Sequence, residues 1–82
     1  MSMTYYFYIL YSRDRNAYYI GHTGNLQQRI QKHKTNHKGY TGKTGDWELI
    51  YVEVYSSKKE AYKRERVVKS WKSRKRIEEL VQ

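Results

Sequence analysis

The chain has 82 residues, carries 17 Lys and Arg against 8 Asp and Glu for a net charge of +9, and contains no Cys and no Pro. That length leaves room for one small core, so a single domain over residues 1–82 is expected. The missing Cys excludes a disulfide scaffold, a Cys-based zinc finger and a thiol nucleophile, and no apolar run approaches the roughly 18 residues of a membrane span.

Ten Tyr are spread along the chain, which sets it apart from a disordered basic tail. Tyr5 to Tyr11 reads YYFYILY, an uncharged run rich in aromatic and aliphatic residues, and predicts a strand. A polar break, Ser12 to Asn16, separates it from a second strand, Ala17 to Ile20, that ends at Gly21. The two form an antiparallel hairpin. Asn25 with Gln28 resembles a capping box and starts a helix from about Leu26 to Asn36. Leu26, Ile30, His33 and His37 share one face of it, with Arg29 on the flank. Lys38 to Asp46, with three Gly and two Thr, is a loop.

Trp47 to Tyr55 reads WELIYVEVY and predicts the third strand. Its alternation makes Glu48, Ile50, Val52 and Val54 the core face. Ser57 and Glu60 form an S-x-x-E box that starts a second helix running to about Lys72. Ala61, Val67, Val68 and Trp71 define its buried side. A short third helix follows Ser73. The order β-β-α-β-α-α predicts an α+β fold, a small three-stranded, mostly antiparallel sheet flanked by helices.

Ten basic residues fall between Lys58 and Arg76. A solvated helix face is one reading of them. The other is a surface that tracks phosphates, and the net charge favours that reading and a nucleic-acid partner. Charge alone leaves DNA and RNA both open. No secretory-type segment opens the sequence, so the expected location is cytoplasmic, with no membrane partner.

A more specific pattern lies in the order of a few residues. Tyr8 lies in Y-F-Y-I-L, and Tyr19 opens Y-I-G eleven residues on. Arg29 follows ten residues after Tyr19, and Glu65 ends E-A-Y-K-R-E on the second helix. This order and spacing resemble the GIY-YIG nuclease superfamily, from about Tyr5 to Val81, in its short stand-alone, excinuclease-like form.

The resemblance implies a metal-dependent endonuclease that hydrolyses DNA phosphodiester bonds, in repair or recombination. It makes Tyr8 the candidate general base and places Tyr19 on the phosphate or the water network. Arg29 matches the family's catalytic Arg, whose planar fork holds the phosphate. Glu65 matches its single carboxylate metal ligand, and one carboxylate with waters and phosphate oxygens suits Mg²⁺, with Mn²⁺ as a substitute. His33, one turn after Arg29, assists proton transfer or steers water. His22, directly after Y-I-G, and Tyr40, in the Gly-rich loop, are candidate substrate contacts. Two positions depart from the pattern: Tyr6 and Phe7 replace the Gly and Ile of the first motif. No Asn follows Asn36, although larger relatives carry one after the metal-binding Glu.

Plainer readings stand beside these. Tyr8 and Tyr19 could be packed sheet aromatics, Arg29 and His33 an exposed pair, and Glu65 a solvated partner of Lys69 at i+4. By helical arithmetic Glu65 falls about 40° from Ala61, at the border of the apolar side. At the level of function, the alternative is a basic nucleic-acid-binding module, or a subunit with little activity without a protein partner or self-association.

Overall fold

Two tyrosine-rich segments open the fold as a hairpin. β1 (Tyr5–Ser12) pairs antiparallel with β2 (Ala17–Thr23), with Tyr8 opposite Gly21 and Ile9 opposite Ile20. This computed structural model describes residues 4–34 and 45–82. The hairpin turn passes through Asn16 at a φ of 49°, a left-handed conformation that Asn tolerates well. Tyr11 Oη donates to Asn16 Oδ1 at 2.7 Å and holds the turn. β2 continues past Gly21 to Thr23, so the Gly of Y-I-G lies within the strand and not at its end.

α1 (Leu26–Lys34) starts at Asn25, whose Oδ1 accepts the backbone N–H of Gln28 at 3.0 Å. The expected last turn of this helix, with His37, and the loop carrying Tyr40 lie outside the described residues. β3 (Glu48–Tyr55) leads into α2 (Lys58–Ser70), where Ser57 Oγ accepts from Glu60 N as the S-x-x-E box requires. α2 stops two residues before the expected end, and Lys72 turns left-handed at a φ of 48°. Ser73 caps α3 (Arg74–Leu80) in the same way, accepting from Arg76 N. No helix among the described residues is long and apolar enough to cross a membrane.

The strand order is β2-β1-β3, antiparallel throughout, so β1 is central. Its alternating side chains serve two cores. Tyr8 and Leu10 pack with Trp47, and Ala17, Tyr19, Leu26 and Ile30 close round them on the α1 side. Phe7 and Ile9 pack with Ile20 and Val68 on the other side, under α2 and α3, where Trp71, Ile77 and Leu80 add to the cluster.

Two expectations about buried faces are corrected. The register against β1 slips between Ile9 and Leu10, where Ile9 faces Tyr51 and Leu10 faces Leu49. Ile50 is the extra residue of a β-bulge, and it packs into the α2-side core beside Tyr51. The strand's alternation is reset there. Val52 and Val54, expected inside, are 40% and 63% exposed, and Tyr51, Glu53 and Tyr55 turn toward α2 instead. Glu53 fits that position because it accepts bonds from Tyr51 Oη, from Tyr55 Oη at 2.6 Å, and from Arg64 Nε and Nη2 at 3.0 and 3.2 Å. On α2, Ala61 and Val68 are fully buried one heptad apart, while Val67 faces out.

Candidate active site

Tyr8 is buried on the central strand, directly across from Gly21 on β2. A Cβ at position 21 would lie 2.7 Å from Tyr8 Oη, so only Gly leaves room for the phenol there. The motif's Gly thus lets a central-strand side chain reach past an edge strand. The Tyr8 hydroxyl lies 3.1 Å from His33 Nε2, a buried contact that reads as Tyr8 donating when that nitrogen is unprotonated. Tyr19 completes the cluster. Its ring stacks near Tyr8 at 6.3 Å and lies 4.5 Å from the His33 ring, with Trp47 edge-on at 6.4 Å.

Burial pushes the Tyr8 phenol well above its ordinary range. Tyr19 adds to the rise and Arg29 opposes it. A free phenolate is therefore disfavoured at rest, and any proton Tyr8 takes up is best matched by one it gives away. His33 Nε2 lies where it could receive that proton.

Glu65 reaches the same region from α2. Its side chain is 13% exposed, and both carboxylate oxygens are engaged. His22 Nδ1 lies 2.8 Å from Oε1, and Lys69 Nζ donates to Oε2 at 3.1 Å. The i+4 partnership with Lys69 is present, but Glu65 is not a solvated surface charge. His22 and Glu65 stand 43 residues apart in sequence, and the antiparallel hairpin and the crossing of α2 bring them together.

A groove of about 350 Å³ joins these parts. Tyr8, Tyr19, His22, Arg29 and Glu65 all line it, with Lys58 and Lys69. β2, at the sheet edge, carries the groove from the α1 side to the α2 side. Arg29 stands at the groove wall and enters no ion pair among the described residues. His33 does not line the groove. It stands behind Tyr8 and is 5% exposed. Tyr40 lies outside the described residues.

The site holds groups that the sequence pattern did not assign to it. Gly21 clears space, Lys69 holds the second oxygen of Glu65, and Lys58 lines the wall. The i, i+4 spacing of Glu65 and Lys69 was a usable signal for Lys69. No local pattern announces Lys58 or the His22–Glu65 contact.

The described residues contain no group of three or more His, Cys, Asp or Glu that could hold a metal ion. A cation bound wholly by protein side chains does not fit them. One held by Glu65 together with water and phosphate oxygens does, because Glu65 is a lone carboxylate at the wall of an open groove.

An antiparallel three-stranded sheet with two tyrosines, an arginine and a glutamate on one groove defines a GIY-YIG-type domain. The family model for the GIY-YIG catalytic domain matches residues 4–78, and the chain belongs to that family. Membership implies nuclease activity on DNA. A UPF0213 protein of Oceanobacillus iheyensis is 41% identical over 71 residues, covering 84% of this chain and 80% of its own. One from Bacillus pumilus is 38% identical over 80 residues, covering 92% and 80%. The solution structure of a UPF0213 protein from Bacillus halodurans superposes with a TM-score of 0.61 at 33% identity, over 96% of this chain and 83% of that one.

Proposed function

We propose that the chain is a metal-dependent DNA endonuclease whose active site is the groove along β2. The observation that carries this reading is the convergence of Tyr8, Tyr19, Arg29 and Glu65 on one basic groove from four different elements. Packing alone does not require a Glu and an Arg to meet there.

In this reading Arg29 holds the scissile phosphate with its planar fork and offsets the charge that develops on it. Tyr8 takes the proton of the attacking water as it passes its own to His33, so no free phenolate accumulates in a buried site. Tyr19 stacks on the Tyr8 ring and packs at a tilt against His33, and so fixes their orientation. Glu65 holds the divalent cation, Mg²⁺ or Mn²⁺, which when bound supplies Lewis-acid stabilisation of the phosphate oxygens. His22 holds Glu65 Oε1 and sets the carboxylate's direction. Lys69 balances the carboxylate charge at the other oxygen until substrate arrives.

The test is cleavage of labelled DNA of several structures, with Mg²⁺, with Mn²⁺ and with chelator, by wild type, Glu65→Ala and Arg29→Ala. Metal-dependent cutting by wild type alone is expected, with Glu65→Ala still binding DNA. Salt-sensitive binding without cutting on any substrate would replace this reading with that of a binding module or a partner-dependent subunit.

A further inference from the structure

Tyr62 has no place in the chemistry described so far, and its surroundings are unusual for a surface tyrosine. It lies on the outward side of α2, one turn before Arg66, and is 45% exposed. Its ring centroid lies 5.2 Å from that of His22, and the Arg66 guanidinium stands 5.8 Å over the ring. With His22, Lys58 and Lys59 it lines a shallow depression. His22 and Lys58 also line the groove that holds Glu65, so the two surfaces are continuous. Lys58 and Lys59 enter no ion pair among the described residues.

An exposed aromatic ring surrounded by such cations is a pairing that nucleic acid satisfies in a specific way. The cations hold successive phosphates, and the ring offers a face to a base. A paired base in a continuous duplex is covered on both faces by its neighbours. Only an unpaired or extruded base can lie on Tyr62.

We propose that Tyr62 is the stacking platform for one unpaired nucleobase next to the phosphate held in the groove. The substrate is therefore DNA that is single-stranded or locally unpaired at that nucleotide. This rests on the reading that the groove holds a DNA phosphate. Lys58 and Lys59 hold the flanking backbone.

The experiment is binding in chelator, so that cutting plays no part. Fluorescence anisotropy compares a labelled single strand with a blunt duplex of the same sequence, for wild type, Tyr62→Ala and Tyr62→Phe. A second strand carries 2-aminopurine, whose emission is quenched on stacking. Tyr62→Ala is expected to weaken single-strand binding roughly tenfold while duplex binding changes by no more than about twofold. Tyr62→Phe keeps the ring and should match wild type in affinity and in quenching, whereas Tyr62→Ala should lose the quenching. Equal losses on both DNA forms, or unchanged single-strand binding and quenching in Tyr62→Ala, would overturn the platform. Cleavage is scored separately in Mg²⁺. Ring-dependent quenching without cutting supports the platform and overturns the nuclease reading. Cutting that prefers intact duplex and ignores Tyr62 does the reverse. Failure of wild type to bind either DNA overturns both.

Discussion

Tyr8 Oη occupies the space that a side chain at Gly21 would need: a Cβ there falls 2.7 Å from the hydroxyl and 2.8 Å from Cζ. The phenol cannot swing aside, because Tyr19 and His33 flank it and its residue is buried. Gly21→Ala should therefore displace the Tyr8 hydroxyl itself. We expect a stability loss of about 1–3 kcal/mol by urea unfolding, as for other overpacked sites. Cutting should fall further than the lost stability explains. Full activity in a folded Gly21→Ala protein would separate the Tyr8 position from the chemistry.

Tyr8→Phe makes the complementary test, because it keeps the ring and removes only the oxygen. The lost partner is His33 Nε2 at 3.1 Å, a buried contact worth about 1 kcal/mol. A small drop in melting temperature is expected. Cleavage should fall by roughly 10²–10⁴, the usual contribution of a positioned acid or base. Single-turnover rates on DNA measure it, and a loss of less than about threefold would remove Tyr8 from proton transfer.

Most of the fold was legible along the chain, for local reasons. The aromatic run at Tyr5 and the Ser57 and Ser73 caps each specify an element through nearby residues, and each stands where expected. The inner face of β3 was not legible. It depends on the bulge at Ile50 and on Arg64, eleven residues beyond Glu53, which makes a half-buried carboxylate tolerable. The alternation rule reads Glu53 as outward and Glu48, Val52 and Val54 as inward, and the structure reverses these placements. Of the candidate site, the order of Tyr8, Tyr19, Arg29 and Glu65 was readable through a family resemblance, and the structure brings all four to one groove. The pairing of His22 with Glu65 had no local signal. It is made by tertiary packing between β2 and α2.

Arg29→Lys asks whether the fork or only the charge is needed. Both side chains are cationic, so affinity for DNA should change by no more than about threefold at fixed salt, and its salt slope should stay the same. A Lys offers a point charge in place of two parallel donors. Cleavage at saturating DNA should drop roughly 10²-fold, comparable to removing one oriented donor from a charge-stabilising site. If Lys supports wild-type cutting, Arg29 serves only as a counter-charge.

The Glu53 cluster predicts how stability depends on pH at both ends of the range. Burial pushes Glu53 up, but bonds from Tyr51, Tyr55 and Arg64 outweigh it and leave the carboxyl below its usual value. Its stabilisation is therefore complete above the ordinary Glu range and is lost as pH falls through the lowered value. The phenols carry the opposite sign. Burial and the bond to Glu53 push Tyr55 up to about 12, the Glu53 bond raises Tyr51, and burial raises Tyr8. The unfolded chain releases these protons near pH 10, while the folded chain keeps them. Stability should thus fall from about pH 10 upward and continue to fall through the raised values. Urea midpoints between pH 8 and 12 test the alkaline arm, which Tyr55→Phe should flatten in part, because Tyr51 and Tyr8 remain; it should also weaken the acid arm, because Glu53 loses one of the bonds that lower it. Glu53→Gln should flatten both arms and cost about 2 kcal/mol at neutral pH, because it takes a charge-assisted partner from Arg64. A Glu53→Gln protein as stable as wild type at pH 7 would show that the cluster adds nothing to holding α2 on β3.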